Sequence, residues 1–307
     1  MEKAALMSNE TIQSEDNVQV GPDRLRQPNG GFAMLALDQR ESLRTMLAQR
    51  GAGSDDGAIV AFKRTAVELL AGLTSAVLLD RPFGLVGGAP DLPHGCVLII
   101  AADELEQPRG GPVMGSDLDP LVTPELIRDM GAAALKLLVL WRAGSGKDHR
   151  DDLVGRFLDL CHRAGVASVL EGVTRPPIGQ EWRSPTEQQD AILAAATEFS
   201  SARPSLYKSE VPGFGRLEPH QLTAQAKQIT EVLSSPWVAL SSGVKPDDFP
   251  SAVEAACHGG ADGFLAGRAI WADSVGVDDV AGHLQKNATS RLEALLGAVR
   301  TGRDQRE

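Results

Sequence analysis

Eight short apolar runs recur along the chain, at residues 32–37, 75–79, 96–101, 133–140, 167–173, 205–211, 237–240 and 261–266. Each ends in a polar or glycine-bearing turn. Helical periodicity fills the gaps, most plainly at 57–70, 150–164, 187–199, 221–233 and 249–258. The runs are continuously hydrophobic instead of alternating, which is the pattern of parallel strands covered on both faces. Strand and helix in alternation imply right-handed crossovers and a parallel sheet. Eight such units within 307 residues predict an α/β fold, a closed (β/α)8 TIM barrel in a single domain, over an open doubly wound sheet. Residues 280–299 are expected to supply the eighth helix. Polarity sets the expected limits: a disordered or loosely ordered leader at 1–25, the barrel at 26–300 and a tail at 301–307.

Charge and cysteine content narrow the functional classes. The chain carries 30 Lys and Arg against 41 Asp and Glu, a formal net charge of −11, which argues against nucleic acid or an anionic membrane as partner. No apolar run approaches the roughly 18 residues of a membrane helix, and the polar first twenty residues are no signal peptide. Cys96, Cys161 and Cys257 are odd in number, far apart and without a C-x-x-C pair. That usage suits a reduced, cytoplasmic setting.

In such barrels the chemistry sits where the strands end. The ends of these runs carry Asp38, Asp80, Asp103 with Glu104, Lys136, Glu171, Lys208 with Glu210, Ser241 with Ser242, and Arg268. Lys208 falls within the sixth run, and the two-residue strand period turns it into the barrel with Leu206 and Glu210. Low dielectric there disfavours an ammonium, and a neutral amine is what a carbonyl-attacking nucleophile needs. The same position equally suits a buried salt bridge to Glu171 or Glu210. Lys136, in the fourth run, has the same parity and can share a layer with Lys208; it reads as an activating cation, as the nucleophile itself or as a counter-ion to Asp80. The pattern does not rank the two lysines. Glu171 reads as a proton shuttle or as an ion-pair partner that orients a lysine. Asp38 and Gln39 are candidates for binding substrate hydroxyls, although Asp38 equally suits a helix cap.

Two glycine turns follow the seventh and eighth runs, Ser241-Ser-Gly-Val and Ala266-Gly-Arg-Ala. Loops at this place form the recurrent phosphate site of the fold; backbone N–H groups at Gly243 and Gly267 with the Arg268 fork would supply the donors. Other motifs fail. Gly144-Ser-Gly-Lys-Asp148 lacks the first glycine and the Ser/Thr of a P-loop, and Gly110-Gly-Pro-Val-Met-Gly115 lacks the strand-turn-helix setting of a dinucleotide fingerprint. The six histidines never pair at metal-ligand spacing, so no metal is expected.

The stretch Gly31-Phe-Ala-Met-Leu-Ala-Leu-Asp-Gln-Arg-Glu41 resembles the first-strand motif of the class I tagatose-1,6-bisphosphate aldolase family. Further likeness lies in Ala134-Leu-Lys-Leu-Leu-Val-Leu-Trp-Arg142, Val173-Thr-Arg-Pro-Pro177, Leu206-Tyr-Lys-Ser-Glu-Val-Pro212, Leu240-Ser-Ser-Gly-Val-Lys-Pro246 and Phe264-Leu-Ala-Gly-Arg-Ala-Ile-Trp271. It spans roughly residues 30–300 and is nearest to the sulfosugar branch, the sulfofructosephosphate aldolases. The resemblance implies Lys208 as Schiff-base lysine, Glu171 as proton-transferring carboxylate and Lys136 as a second active-site lysine. It also implies substrate contacts at Gln39, Ser241 and Arg268. Its substrate would be a phosphorylated ketose or sulfoketose, with no cofactor, in a homodimer or homotetramer. A distal sulfonate needs cations, for which Arg142 and Arg175 are placed, with Arg81 a weaker candidate. Two positions depart from the family pattern: Gly172 follows Glu171 where Pro is expected, and Ser209 replaces an apolar residue.

Overall fold

The structure, a computed structural model, describes residues 20–241 and 243–306. Its strands are β1 (Phe32–Leu37), β2 (Ala76–Asp80), β3 (Val97–Ala101), β4 (Asp103–Glu106), β5 (Gly115–Leu118), β6 (Ala134–Trp141), β7 (Ala167–Thr174), β8 (Leu206–Glu210), β9 (Trp237–Leu240) and β10 (Gly263–Ala266). Eight of them close a parallel barrel in the order β1-β10-β9-β8-β7-β6-β3-β2. The predicted (β/α)8 barrel is therefore the observed one. β4 and β5 pair antiparallel as a hairpin outside it. Asp103 and Glu104, expected at the end of a barrel strand, begin this hairpin instead.

Helices cover the outside: α1 (Glu41–Gln49), α2 (Asp56–Leu70), α3 (Arg81–Gly84), α4 (Pro124–Asp129), α5 (Lys147–Ala164), α6 (Pro185–Ser200), α7 (Pro219–Val232), α8 (Phe249–His258), α9 (Arg268–Trp271), α10 (Val280–His283) and α11 (Thr289–Asp304). Local chemistry sets their ends. Asp55 caps α2 through the Ala58 N–H, and Ser184 caps α6 through the Glu187 N–H with Pro185 at the first helical position. Among the described residues no helix is long and apolar enough to cross a membrane.

Strand parity divides the core. Leu35, Leu37, Val77 and Tyr207 point outward against the helices. Met34, Leu78, Ile99, Val169, Val238 and Leu265 point inward and fill the lower barrel. The expected domain limits shift at both termini. Leu25, assigned to a solvated leader, is fully buried and plugs the bottom of the barrel, while residues 1–19 lie outside the described residues. At the other end α11 runs past residue 300, because Gly302 packs so closely on α8 that a Cβ would lie 2.3 Å from the Glu254 carbonyl oxygen. Arg303 and Arg306 then pair with Asp262 at 2.6 and 3.0 Å.

Candidate active site

The inward parity that fills the lower barrel with aliphatic side chains places charge at its upper end. Asp38, Asp80, Asp103, Lys136, Glu171 and Lys208 are all buried there. Lys136 Nζ donates to Asp38 Oδ2 at 2.8 Å and to Asp103 Oδ2 at 3.0 Å, and lies 2.8 Å from Glu171 Oε2. Lys208 Nζ makes one ion pair among the described residues, 3.1 Å from that same Glu171 oxygen. The two lysines, which sequence left unranked, are now distinct. Burial opposes the charge of Lys136, yet Asp103, Asp38 and Glu171 outweigh it and hold its ammonium well above the ordinary lysine range. These three carboxylates favour the charged form of Lys136, whereas a carbonyl-attacking amine must be neutral.

The carboxylates answer the same field. Burial resists ionisation of Glu171 and Asp38, but Lys136 and Lys208 overcome it and hold both below the usual carboxylate range. Glu171 Oε2 is buried between the two lysines, 2.8 Å from Lys136 Nζ and 3.1 Å from Lys208 Nζ. Asp38 is no helix cap: α1 starts at Glu41 behind Arg40, without a side-chain cap. Arg40 Nη2 reaches Asp103 Oδ1 at 3.1 Å, and its Nε lies 3.8 Å from Asp80 Oδ2. Above this network opens a cavity of about 480 Å³ whose lining includes Asp38, Gln39, Lys136, Glu171, Lys208 and Arg268. Ser241 and Gly267 complete its β9–β10 side. Gly267 is obligatory, since a Cβ would meet the Ala36 carbonyl oxygen at 2.5 Å and Gln39 Nε2 at 2.9 Å. The Gln39 Oε1 is buried with no partner among the described residues.

Residues 32–273 match the family described as DeoC/LacD family aldolase. The chain belongs to that family. It is an aldolase, a carbon–carbon lyase. The tagatose 1,6-diphosphate aldolase of Listeria monocytogenes serotype 4b (strain CLIP80459) is 26% identical over 279 residues, 84% of this chain and 82% of the relative. Among solved structures, a Plasmodium falciparum fructose-bisphosphate aldolase superposes with a TM-score of 0.72 at 12% identity, covering 94% of this chain and 99% of that one. A Schiff base forming fructose-1,6-bisphosphate aldolase gives 0.61 at 18% identity, over 91% and 98%.

In this aldolase several expected site residues stand elsewhere. Arg142 does not line the cavity; its Nη1 donates to the Pro176 carbonyl oxygen at 2.5 Å. Arg81 is likewise committed, to Asp119 at 2.7 Å. Arg175 does line the cavity. Glu210 accepts from the Thr174 N–H and hydroxyl at 2.8 and 2.6 Å, tying β7 to β8. Glu104 is exposed, and Ser242 lies outside the described residues.

Arg40 and the hairpin were missed. Leu105, Gln107 and Val113 wall the cavity, and the hairpin is pinned by the Ser116 hydroxyl donating to the Leu138 carbonyl at 2.6 Å. The two family departures have local causes. A Cβ at residue 172 would lie 2.1 Å from Tyr207 Oη, so Gly172 makes room for that ring. Ser209 lies on the strand parity opposite to Lys208 and donates to the Glu210 carbonyl at 3.2 Å.

Proposed function

We propose that this aldolase cleaves the C3–C4 bond of 6-deoxy-6-sulfofructose 1-phosphate through a Schiff base on Lys208, releasing dihydroxyacetone phosphate and 3-sulfolactaldehyde. The observation that carries it is the unequal sharing of Glu171: Lys136 is in ion-pair contact with two further carboxylates, and Lys208 with no other among the described residues. The Lys208 amine adds to the C2 carbonyl, and loss of water leaves a protonated imine. Glu171 takes the C4 hydroxyl proton, and the C3–C4 electrons flow into the iminium as an enamine while the aldehyde departs. The same carboxyl returns its proton to C3, and water hydrolyses the imine to dihydroxyacetone phosphate and free amine. The iminium places positive charge at the Lys208 nitrogen, 3.1 Å from Glu171, so that carboxylate favours the electron sink.

The C1 phosphate lies at the β9–β10 end, on Ser241, the backbone at Gly243 and Gly267, and Arg268. Asp38 and Gln39 face the sugar hydroxyls, and the unpartnered Gln39 oxygen suits a hydroxyl donor. The side of the cavity beside β3 and the hairpin receives the C6 end. The two arginines that line the cavity besides Arg268 are already offset: Arg40 by Asp103 and Asp80, Arg175 by Glu210 at 4.0 Å. Such a pocket suits a monoanionic sulfonate better than a phosphate of nearly two charges.

Cleavage of tagatose or fructose 1,6-bisphosphate is the second reading, favoured by the names of the relatives. Side-by-side kcat/KM values for the three ketoses test the choice, because discrimination is the ratio of these constants. The sulfosugar should lead by about tenfold or more; a bisphosphate at parity or ahead would reassign the substrate.

A further inference from the structure

A second lysine–carboxylate pair is buried beside the site, and the chemistry above does not use it. Lys63 projects from α2 into the top of the barrel, where it pairs with Asp80 at the end of β2. Its neighbours on that face of α2 are Ile59, Phe62, Ala66 and Val67, all buried. A neutral, well-packed pair would be the cheaper way to fill such a position. Asp80 also accepts the Phe83 N–H at the start of α3 through Oδ2 at 3.1 Å, a task that Asn could perform. The ionic form therefore calls for another use.

That use lies in the next residue of the chain of charges. Lys63 meets Asp80, Asp80 faces Arg40, Arg40 meets Asp103, Asp103 meets Lys136, and Lys136 shares Glu171 with Lys208. Two carboxylates thus compete for one guanidinium, and Arg40 sits closer to Asp103, at 3.1 Å, than to Asp80, at 3.8 Å. Its Nε is buried with no hydrogen-bond partner among the described residues. Arg40 lines the cavity and leans across it toward the β2–β3 side, where Asp80 and Asp103 lie.

We propose that Lys63 is a positioning residue: by neutralising Asp80 it keeps Arg40 from being captured there, leaving the guanidinium turned to Asp103 and the anionic C6 end of the ketose. This inference rests on the reading of the site as a Schiff-base ketose 1-phosphate aldolase. Burial pushes the Lys63 ammonium below its ordinary range and the Asp80 carboxyl above its own, so each owes its charge to the other. Without Lys63, Arg40 is the neighbouring cation left to hold Asp80, and the movement needed is short.

The test is a set of variants at residues 40, 63 and 80, assayed with the ketose and, separately, with dihydroxyacetone phosphate plus borohydride. Lys63→Met should raise the ketose KM about tenfold with kcat within about threefold, and Lys63→Met/Asp80→Asn should return KM to near the wild-type value, since the competing carboxylate is gone. In an Arg40→Met background the Lys63 change should add nothing. Trapping of dihydroxyacetone phosphate, which has no C6 end, should stay at the wild-type rate in Lys63→Met. A folded Lys63→Met enzyme with unchanged KM, or a double variant no better than the single, overturns the proposal. If Lys63→Met does not fold, Asp80→Asn alone decides: KM unchanged or lower supports the proposal, and a rise of about tenfold refutes it. Wild-type enzyme that traps nothing at Lys208 would remove the underlying reading; wild-type trapping with an indifferent Lys63 removes this inference alone.

Discussion

Lys136→Met and Lys208→Met should separate in stability as sharply as the two side chains do in their surroundings. Removing Lys136 leaves Asp38, Asp103 and Glu171 buried within one cluster and deprived of their common cation. Breaking a buried ion pair from one side costs about 3–5 kcal/mol. At roughly 2–3 °C per kcal/mol for a chain of this size, that is a fall in Tm of about 6–15 °C. Removing Lys208 strips a single contact from Glu171, which keeps Lys136 at 2.8 Å, so the cost should be about 1 kcal/mol or less.

The sign of the pH dependence follows from the shifts. Lys136 is raised, so its contribution is complete below about pH 10 and lost above its folded value; Asp38 and Glu171 are lowered, so theirs is complete above about pH 4 and lost in acid. The Lys136→Met deficit should therefore be flat between about pH 6 and 9. Denaturant unfolding of both variants across that range is the assay. Equal losses for the two, or a Lys136 variant as stable as wild type, would refute the reasoning.

Other outcomes follow from single contacts. Arg175→Ala should raise the KM for the sulfoketose far more than that for dihydroxyacetone phosphate in the reverse reaction, and steady-state kinetics in both directions would expose equal losses as a refutation. Arg142→Ala, whose guanidinium serves the Pro176 carbonyl, should leave the ketose KM within about twofold. Gly172→Ala forces a methyl into the space of Tyr207 Oη and should destabilise by about 1–3 kcal/mol, with partial rescue by Tyr207→Phe in thermal melts. Burial pushes the Cys257 thiol up to about 12 and raises Cys96 and Cys161 as well, so a thiol reagent at pH 8 should label these cysteines only on unfolding.

The barrel was legible because a doubly covered parallel strand writes itself as an unbroken apolar run, and all eight runs became strands. The hairpin was not, because Asp103-Glu-Leu-Glu106 and Gly115-Ser-Asp-Leu118 carry almost no apolar signal. Parity alone turned Lys136 and Lys208 inward. It could not count the carboxylates around each, since Asp38 and Asp103 arrive from beyond the ends of other strands. Arg142 and Arg175 look alike as strand-end arginines, and only the fold turns one to a backbone carbonyl and the other to the cavity. Lys63 was invisible for a different reason: on an amphipathic helix a lysine reads as surface, and its burial depends on Asp80 being across from it.

The most direct measurement incubates the enzyme with dihydroxyacetone phosphate and borohydride and maps the modified peptide by mass spectrometry. A single reduced adduct on Lys208, absent from Lys208→Met and unaffected by a chelator, is the predicted result. An adduct on Lys136, or full ketose turnover with arginine in place of Lys208, would contradict it.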